Sequence, residues 1–223
     1  IDHPLFVESA MIKHPRSDEP VKPTFLNGLM LSEEQRDDPR RALAEWITSH
    51  PYFAEAIVNR MWSYFFGRGI VEPVDDFRST NTPTHPELLR TLAEDFTEQG
   101  YDLKRLIRMI VNSRTYQLSH VPNESNRDDK INYSHTLPRA LDAEILLDAI
   151  SDVTGVPEVF LGEEGKTKAP QGTRAVQLKA PLWQSRFLEI YGRTQRQSIP
   201  ERGNKPNLAQ ALHVWVGETY TDK

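Results

Sequence analysis

The chain has 223 residues, of which 38% are hydrophobic and 26% are charged, and its formal net charge is −5. This length and composition are typical of a globular protein that buries a core, and the negative charge argues against nucleic-acid binding, which favours a basic surface. The absence of cysteine excludes disulfides, thiolate metal sites and a cysteine nucleophile, and no apolar run approaches the ~18 residues of a membrane span.

The N-terminal residues 1–38 are rich in proline and charge and show no sustained periodicity. We predict an irregular arm there, anchored on the rest of the chain by Phe25 and Leu26. Residues 39–223 are predicted to form a single helical domain. Its core should span residues 39–155, followed by an irregular and helical C-terminal part over 156–223.

The first helix is predicted near residues 40–48. Asp38 followed by Pro39 favours a helix start, because aspartate is a good N-cap and proline is tolerated at the first helical position. The apolar spacing predicts that this helix buries Leu43, Trp46 and Ile47.

The most apolar helix is predicted over residues 53–66. Apolar side chains recur there at i, i+3, i+4 and i+7, so other elements should cover the helix on several sides, with Trp62 in the core. Asn59 and Arg60 lie on its narrow polar stripe. Gly67 and Gly69 end the helix.

The remaining helices follow from apolar periodicity and capping residues. They are expected near 86–98, 103–112, 141–153 and 208–216, with a short one near 186–191. A polar loop is predicted over 119–136, and residues 156–182 are irregular, with only Arg174 to Leu178 resembling a strand. The fold class is therefore all-α, a mainly helical bundle with long irregular loops and at most a minor strand pair near 174–178.

A polar loop after the central helix carries the first candidate site. Arg60 lies on a mostly apolar helix, where an unpaired charge is costly. Reversal of the chain at Gly67 and Gly69 would bring Asp75 and Asp76 back beside it, since each extended residue spans ~3.3 Å. We predict a direct contact between Arg60, expected to be buried, and one of these aspartates. The contact would either line a pocket or lock the loop to the helix.

The acidic residues of this loop also allow two interpretations. Glu72, Asp75 and Asp76 offer the oxygen ligands that calcium prefers, but the glycine-bearing spacing of a calcium loop is missing. The alternative is a helix cap or an ion pair with Arg78. None of the seven histidines forms a zinc-binding pair. We predict no metal ion and no other cofactor.

A second candidate site lies near the C-terminus. Arg193, Arg196 and Arg202 share one polar segment and could bind a carboxylate or sulfate, or form a solvated basic face. His213, on the last predicted helix, could face Glu201 or Arg202. No nucleophile elbow, Walker loop or dinucleotide fingerprint occurs in the chain.

Several short blocks, which occur in one order at short spacings, resemble the planctomycete-type PSD domain, a domain of unknown function. The blocks are Arg41-Ala42-Leu43-Ala44-Glu45-Trp46, Val58-Asn59-Arg60-Met61-Trp62, Phe66-Gly67-Arg68-Gly69-Ile70-Val71, Asp75-Asp76-Phe77-Arg78, His85-Pro86-Glu87-Leu88-Leu89, Gly100-Tyr101-Asp102-Leu103-Lys104, Asn112-Ser113-Arg114-Thr115-Tyr116-Gln117 and Leu208-Ala209-Gln210-Ala211-Leu212-His213. The similarity covers roughly residues 25–216. Many relatives carry a Cys-Glu-Cys-Glu-Arg run where this chain reads Ser198-Ile199-Pro200-Glu201-Arg202, so a role that depends on those thiols is not expected here.

The resemblance implies that the chain is the C-terminal part of a large exported protein and that it resides in an extracytoplasmic compartment. In this family such proteins often also carry a c-type cytochrome segment. One hypothesis is a helical binding or assembly module, linked to polysaccharide handling, whose partners are other domains of the same protein and carbohydrate. The alternative is an enzyme domain with a polar site built from Arg60, Asp75, Asp76 and the segment Arg193–Arg202. No nucleic-acid partner is expected.

Overall fold

A computed structural model describes residues 12–22, 24–32, 35, 38–162, 165–179, 182–193, 206–221 and 223. The described chain is mainly helical, which confirms the predicted fold class. It divides into two compact units, Ile1–Pro138 and Arg139–Lys223. The prediction of a single helical domain over residues 39–223 stays a prediction.

Within its described residues, the first unit contains one short strand pair and the following four helices. They are β1 (Ile12–Lys13), β2 (Pro20–Val21), α1 (Pro39–Ser49), α2 (Pro51–Phe66), α3 (Pro86–Glu98) and α4 (Leu103–Asn112). The strands pair in antiparallel fashion, with Lys13 opposite Pro20. All four helices begin and end within two residues of the predicted bounds.

The second unit combines helices with short irregular elements. They are α5 (Ala143–Thr154), β3 (Leu161–Gly162), a 3-10 turn (Ala175–Gln177), β4 (Trp183–Gln184), α6 (Arg186–Ile190), α7 (Leu208–Val216) and α8 (Glu218–Thr221). Strands β3 and β4 are antiparallel, with Leu161 opposite Gln184.

Capping residues explain where the helices start and stop. The Asp38 side chain accepts a hydrogen bond from the Arg41 N–H at 3.1 Å, as predicted for an N-cap. Asp102 caps α4 by accepting from Lys104 and Arg105. Helix α2 ends at Gly67, whose φ of 74° is the left-handed conformation that glycine adopts without a Cβ penalty.

Helix α2 lies at the centre of the core of the first unit, as its sequence predicts. Trp62 is only 4% exposed and stacks on Phe66, with ring centroids 4.2 Å apart. The buried residues around it are Ala54, Val58, Ile70, Val71, Leu89, Ala93, Phe96, Leu106, Ile110 and Tyr133.

The core of the second unit is smaller and includes a buried carboxylate. Its buried apolar residues are Ala143, Leu147, Phe160, Ala175, Phe187 and Leu188. Asp148 of α5 is buried and accepts hydrogen bonds from the N–H groups of Ala175 (2.7 Å) and Val176 (3.2 Å). These bonds hold the segment Arg174–Leu178 as a 3-10 turn, so its strand-like interpretation is wrong.

Three side chains that were predicted to pack against the protein are exposed instead. Leu43 and Ile47 are exposed, because α1 turns Ala42 toward the protein instead. In the N-terminal arm Phe25 stacks on Trp46 with ring centroids 5.3 Å apart, as predicted, but Leu26 is almost fully exposed.

Candidate functional site

Asn59 joins the central helix to the loop that follows it. The side chain is fully buried, and its Oδ1 accepts a hydrogen bond from the Val71 N–H at 2.9 Å. Its Nδ2 donates to the carbonyl oxygens of Val71 (3.0 Å) and Val74 (2.8 Å). A Cβ at Gly69 would overlap both this amide and the Val71 carbonyl, so the close approach requires glycine. Asn59 therefore has a structural role as the anchor of the loop.

Arg60 contacts Asp75 directly, which confirms the predicted contact. The expected burial is wrong, since the two side chains are 42% and 60% exposed. The loop folds over the neighbouring Asn59 and leaves the long Arg60 side chain reaching outward toward water. The hydrogen bond to Asp75 raises the pKa of Arg60, so the guanidinium remains charged.

The other acidic residues of the loop have separate partners. Asp76 accepts two hydrogen bonds from the guanidinium of Arg78, both at 2.6 Å, and these bonds lower the pKa of Asp76. Glu72 accepts from the Gly69 N–H at 2.9 Å. Among the described residues, no three His, Asp or Glu side chains form a cluster that could bind a metal ion.

Tyr133 is a buried loop residue that the sequence analysis did not identify. Its hydroxyl donates to the Gly69 carbonyl at 2.8 Å, and its ring packs edge-on against Trp62 and Phe66. Burial raises the pKa of this hydroxyl. Its φ of 55° is held by the neighbouring Asp129, which accepts hydrogen bonds from Asn132 and Ser134. Asp129 followed by Asn132 and Ser134 is a sequence pattern typical of a turn held by side-chain hydrogen bonds. This pattern could have predicted the turn that places Tyr133.

The predicted basic site near the C-terminus is described only in part. Arg193 lies 3.7 Å from a carboxylate oxygen of Glu144 on α5, and both side chains are largely buried. This pairing is structural and leaves Arg193 poorly placed for an external anion. Arg196, Glu201 and Arg202 lie outside the described residues, so a contact of His213 with Glu201 or Arg202 stays a prediction.

An open groove of about 1080 Å³ lies in the second unit. Phe160 and Phe187 contribute to its apolar lining, and Leu212 and Val216 of α7 line it as well. Charged side chains of both signs also line it, among them Arg186, Glu189 and Glu218. The lining therefore combines apolar side chains with many polar and charged ones.

His213 lines this groove from α7 and is 9% exposed. The rings of Phe187, Tyr191 and Tyr220 surround its imidazole at centroid distances of 5.6, 5.7 and 5.6 Å. Its buried Nδ1 has no hydrogen-bond partner in the described part of the chain. Burial lowers the pKa of His213, nearby Arg186 lowers it further, and Glu218 opposes the shift, so the neutral imidazole is favoured at pH 7.

A backbone contact holds the imidazole in place. A Cβ at Gly217 would lie 2.5 Å from Cδ2 of His213, so the backbone of Gly217 rests directly against the ring. One wall of the groove therefore contains a largely buried, neutral imidazole that the Gly217 backbone holds in place. Apolar side chains lie beside this imidazole.

The side of α7 that carries Leu208 and Trp215 is apolar and exposed to solvent. Leu208 and Trp215, seven residues apart and hence on one side of the helix, are 75% and 82% exposed. Residues 206–217 contain no Asp, Glu, Lys or Arg. We call Leu208, Ala211 and Trp215 the outer face of α7.

Comparison with known proteins identifies a family but no characterised relative. Residues 39–222 match the family model PSD1, described as a protein of unknown function (DUF1553). No curated protein and no solved structure matches the chain. No helix in the described parts of the chain has the length and apolar character needed to cross a membrane.

Proposed function

The chain belongs to the PSD1 family of proteins of unknown function (DUF1553), and we propose that it is a helical assembly module of a larger exported protein. In this proposal the outer face of α7 binds another domain of the same polypeptide. The family match extends through α7, so this helix belongs to the family domain.

The exposure of Trp215 and Leu208 carries the proposal. Large apolar side chains scattered singly on a surface need no explanation, but adjoining ones on a helix that has no charged residue favour an interaction site. An apolar, uncharged surface of this kind is typical of the buried centre of a lasting interface. The partner should accordingly present an apolar patch of similar size.

The small size of the outer face favours a covalently linked partner. Helix α7 has nine residues, and a helix of that length spans about 14 Å. A stable interface between separate chains usually buries about 800 Å² on each partner. A linked domain binds at a high effective concentration, so a smaller patch is sufficient.

The enzyme alternative has less support. Its proposed residues already have structural partners, since Arg60 pairs with Asp75, Asp76 pairs with Arg78, and Arg193 pairs with Glu144. A catalytic set would instead direct several of these groups toward one open position. The described residues of the loop do not converge in that way.

Export, a location outside the cytoplasm and a link to polysaccharides complete the proposal. These elements rest on the resemblance of the sequence blocks to the planctomycete-type PSD domain.

Site-specific photocrosslinking in the full-length protein tests the assembly function. A benzophenone amino acid replaces Trp215, and the crosslinked peptides are identified by mass spectrometry. Val153, an exposed apolar residue on α5, serves as the matched control position. We expect position 215, but not position 153, to crosslink to a segment of the same polypeptide outside residues 39–222.

Two outcomes would overturn the assembly function as proposed. Crosslinks between two copies of residues 206–217 would identify a self-association surface instead. Equal and weak crosslinking at positions 215 and 153 would show that the outer face of α7 has no partner.

A further inference from the structure

We propose that the groove beside His213 binds a neutral ligand rich in hydroxyl groups, such as the sugar units of a polysaccharide. The site is distinct from the outer face of α7 and gives the polysaccharide link of the proposed function a location, so in that respect it rests on that proposal. Experiments can refute the sugar-binding inference and the assembly function independently, because the two proposals depend on different residues.

The two faces of α7 have different surroundings. Ala209, Leu212, His213 and Val216 recur at i, i+3, i+4 and i+7 and line the groove. Leu208 and Trp215 do not line the groove, although they lie next to Leu212 on the helix surface, at i−4 and i+3. At about 1080 Å³ the groove is slightly larger than most small-molecule sites, and its open side suits an extended ligand.

His213 supplies the polar group that indicates a ligand. A buried polar atom without a partner is costly, and native proteins rarely leave one unsatisfied. The Nδ1 of His213 is such an atom, and the contact with Gly217 prevents the ring from turning freely away. A ligand hydroxyl that enters far enough to reach this nitrogen would satisfy it in either tautomer, because a hydroxyl both donates and accepts.

The charges around the groove favour a neutral ligand over an ion. An anion would approach the carboxylates of Glu189 and Glu218, and a cation would approach the guanidinium of Arg186. Lys223 and Glu158, which also line the groove, pair with each other at 2.9 Å. Hydroxyl groups can instead donate to the carboxylates and accept from the guanidinium.

The apolar part of the groove selects among neutral ligands. Leu212 and Val216, which are 52% and 75% exposed, provide apolar surface on which the C–H face of a sugar ring can pack. A purely apolar ligand would leave His213 and the charged groups without partners. A sugar combines an apolar face with hydroxyl groups at its edge and so matches both parts of the lining.

Nuclear magnetic resonance of the histidine side chains tests this inference on the 223-residue chain. The ¹⁵N signals of His213 are followed during titration with cellohexaose, xylohexaose and mannohexaose, and the exposed His120 serves as an internal control. Hexagalacturonate and a chitosan hexamer supply the anionic and cationic comparisons. We expect at least one neutral hexasaccharide to shift His213 saturably and leave His120 unchanged.

Variants then separate binding from folding. Glu189→Gln and Glu218→Gln remove carboxylates that line the groove and should weaken the binding of the neutral hexasaccharide about tenfold, as expected for a lost charged hydrogen bond. Glu124→Gln, an exposed substitution in the first unit, should have no effect. The inference is overturned if no neutral hexasaccharide shifts His213 at millimolar concentration, or if a charged hexasaccharide binds more tightly. Trp215→Ala should leave this binding unchanged, which distinguishes the groove from the outer face of α7.

Discussion

The side-chain amide of Asn59 hydrogen-bonds to both the N–H and the carbonyl of Val71, at 2.9 and 3.0 Å. A third bond reaches the carbonyl of Val74 at 2.8 Å. One buried side chain thus provides hydrogen-bond partners for the backbone N–H and C=O groups of the loop that passes over the central helix. The loop geometry, including the position of Asp75 beside Arg60, follows from this contact.

The first prediction is that Asn59→Ala lowers the free energy of unfolding by about 3 kcal/mol, because three buried hydrogen bonds are lost at about 1 kcal/mol each. Urea denaturation of the variant and the parent measures the difference. Asn112→Ala is the matched control, since Asn112 is exposed and its side chain bonds, in the part of the chain that the structure describes, to its own helix at the Arg108 carbonyl. A change at Asn59 no larger than that at Asn112 would contradict the anchoring role.

The second prediction concerns the pair of Arg60 and Asp75. Because both side chains are substantially exposed, their coupling free energy should be only about 0.2–1 kcal/mol. A double-mutant cycle with Arg60→Met and Asp75→Asn measures it. The coupling should fall further at high salt, since exposed charges are screened. A coupling of several kcal/mol that salt does not change would mean that the pair is effectively buried.

The third prediction compares two tryptophans. Trp62→Ala should lower the free energy of unfolding by about 3–5 kcal/mol, as is usual for truncating a buried tryptophan. Trp215→Ala should change it by less than about 0.5 kcal/mol, since this side chain is largely exposed. Thermal unfolding of both variants provides the measurement. Similar losses in the two would show either that α2 is oriented differently or that the outer face of α7 is covered within the chain.

The fourth prediction is a pH dependence that originates at Asp129. Hydrogen bonds from Ser134, Asn132 and Ile131 hold the pKa of this carboxyl well below its usual range, with the Ser134 hydroxyl contributing most. A depressed pKa in the folded state stabilises the protein above the unfolded value of about 3.9, and the stabilisation is lost as the pH falls below it.

Asp129→Asn tests this dependence. The variant should be less stable than the parent at pH 7, and the difference should shrink between about pH 4 and the lower, folded-state pKa. Urea midpoints for both proteins at pH 7 and pH 3 measure the change. A difference that is the same at both values would assign the effect to packing rather than to the charge.

The local signals in the sequence were sufficient for the helices. Apolar periodicity and the caps at Asp38, Gly67 and Asp102 predicted helices α1 to α4 closely, because those signals act between residues a few positions apart. The contact of Arg60 with Asp75 was also predictable, since the glycines require the chain to turn back within a short distance.

Contacts between distant residues explain what the sequence analysis missed. The strand-like segment Arg174–Leu178 forms a turn because Asp148, 27 residues before Ala175, binds its backbone. The surroundings of His213 on α7 include the rings of Phe187 from α6 and Tyr220 from α8. No short sequence pattern relates these residues.

The sequence by itself therefore determined the helical fold, the helix bounds and the family, since these depend on local periodicity, capping and short blocks. Tertiary structure alone decided which polar groups are buried and which apolar groups are exposed. Asn59 became the buried anchor while the adjacent Arg60 reached solvent, although both lie on the same polar stripe of α2. Burial is set by what packs over each position, and the covering residues come from parts of the chain that periodicity does not relate.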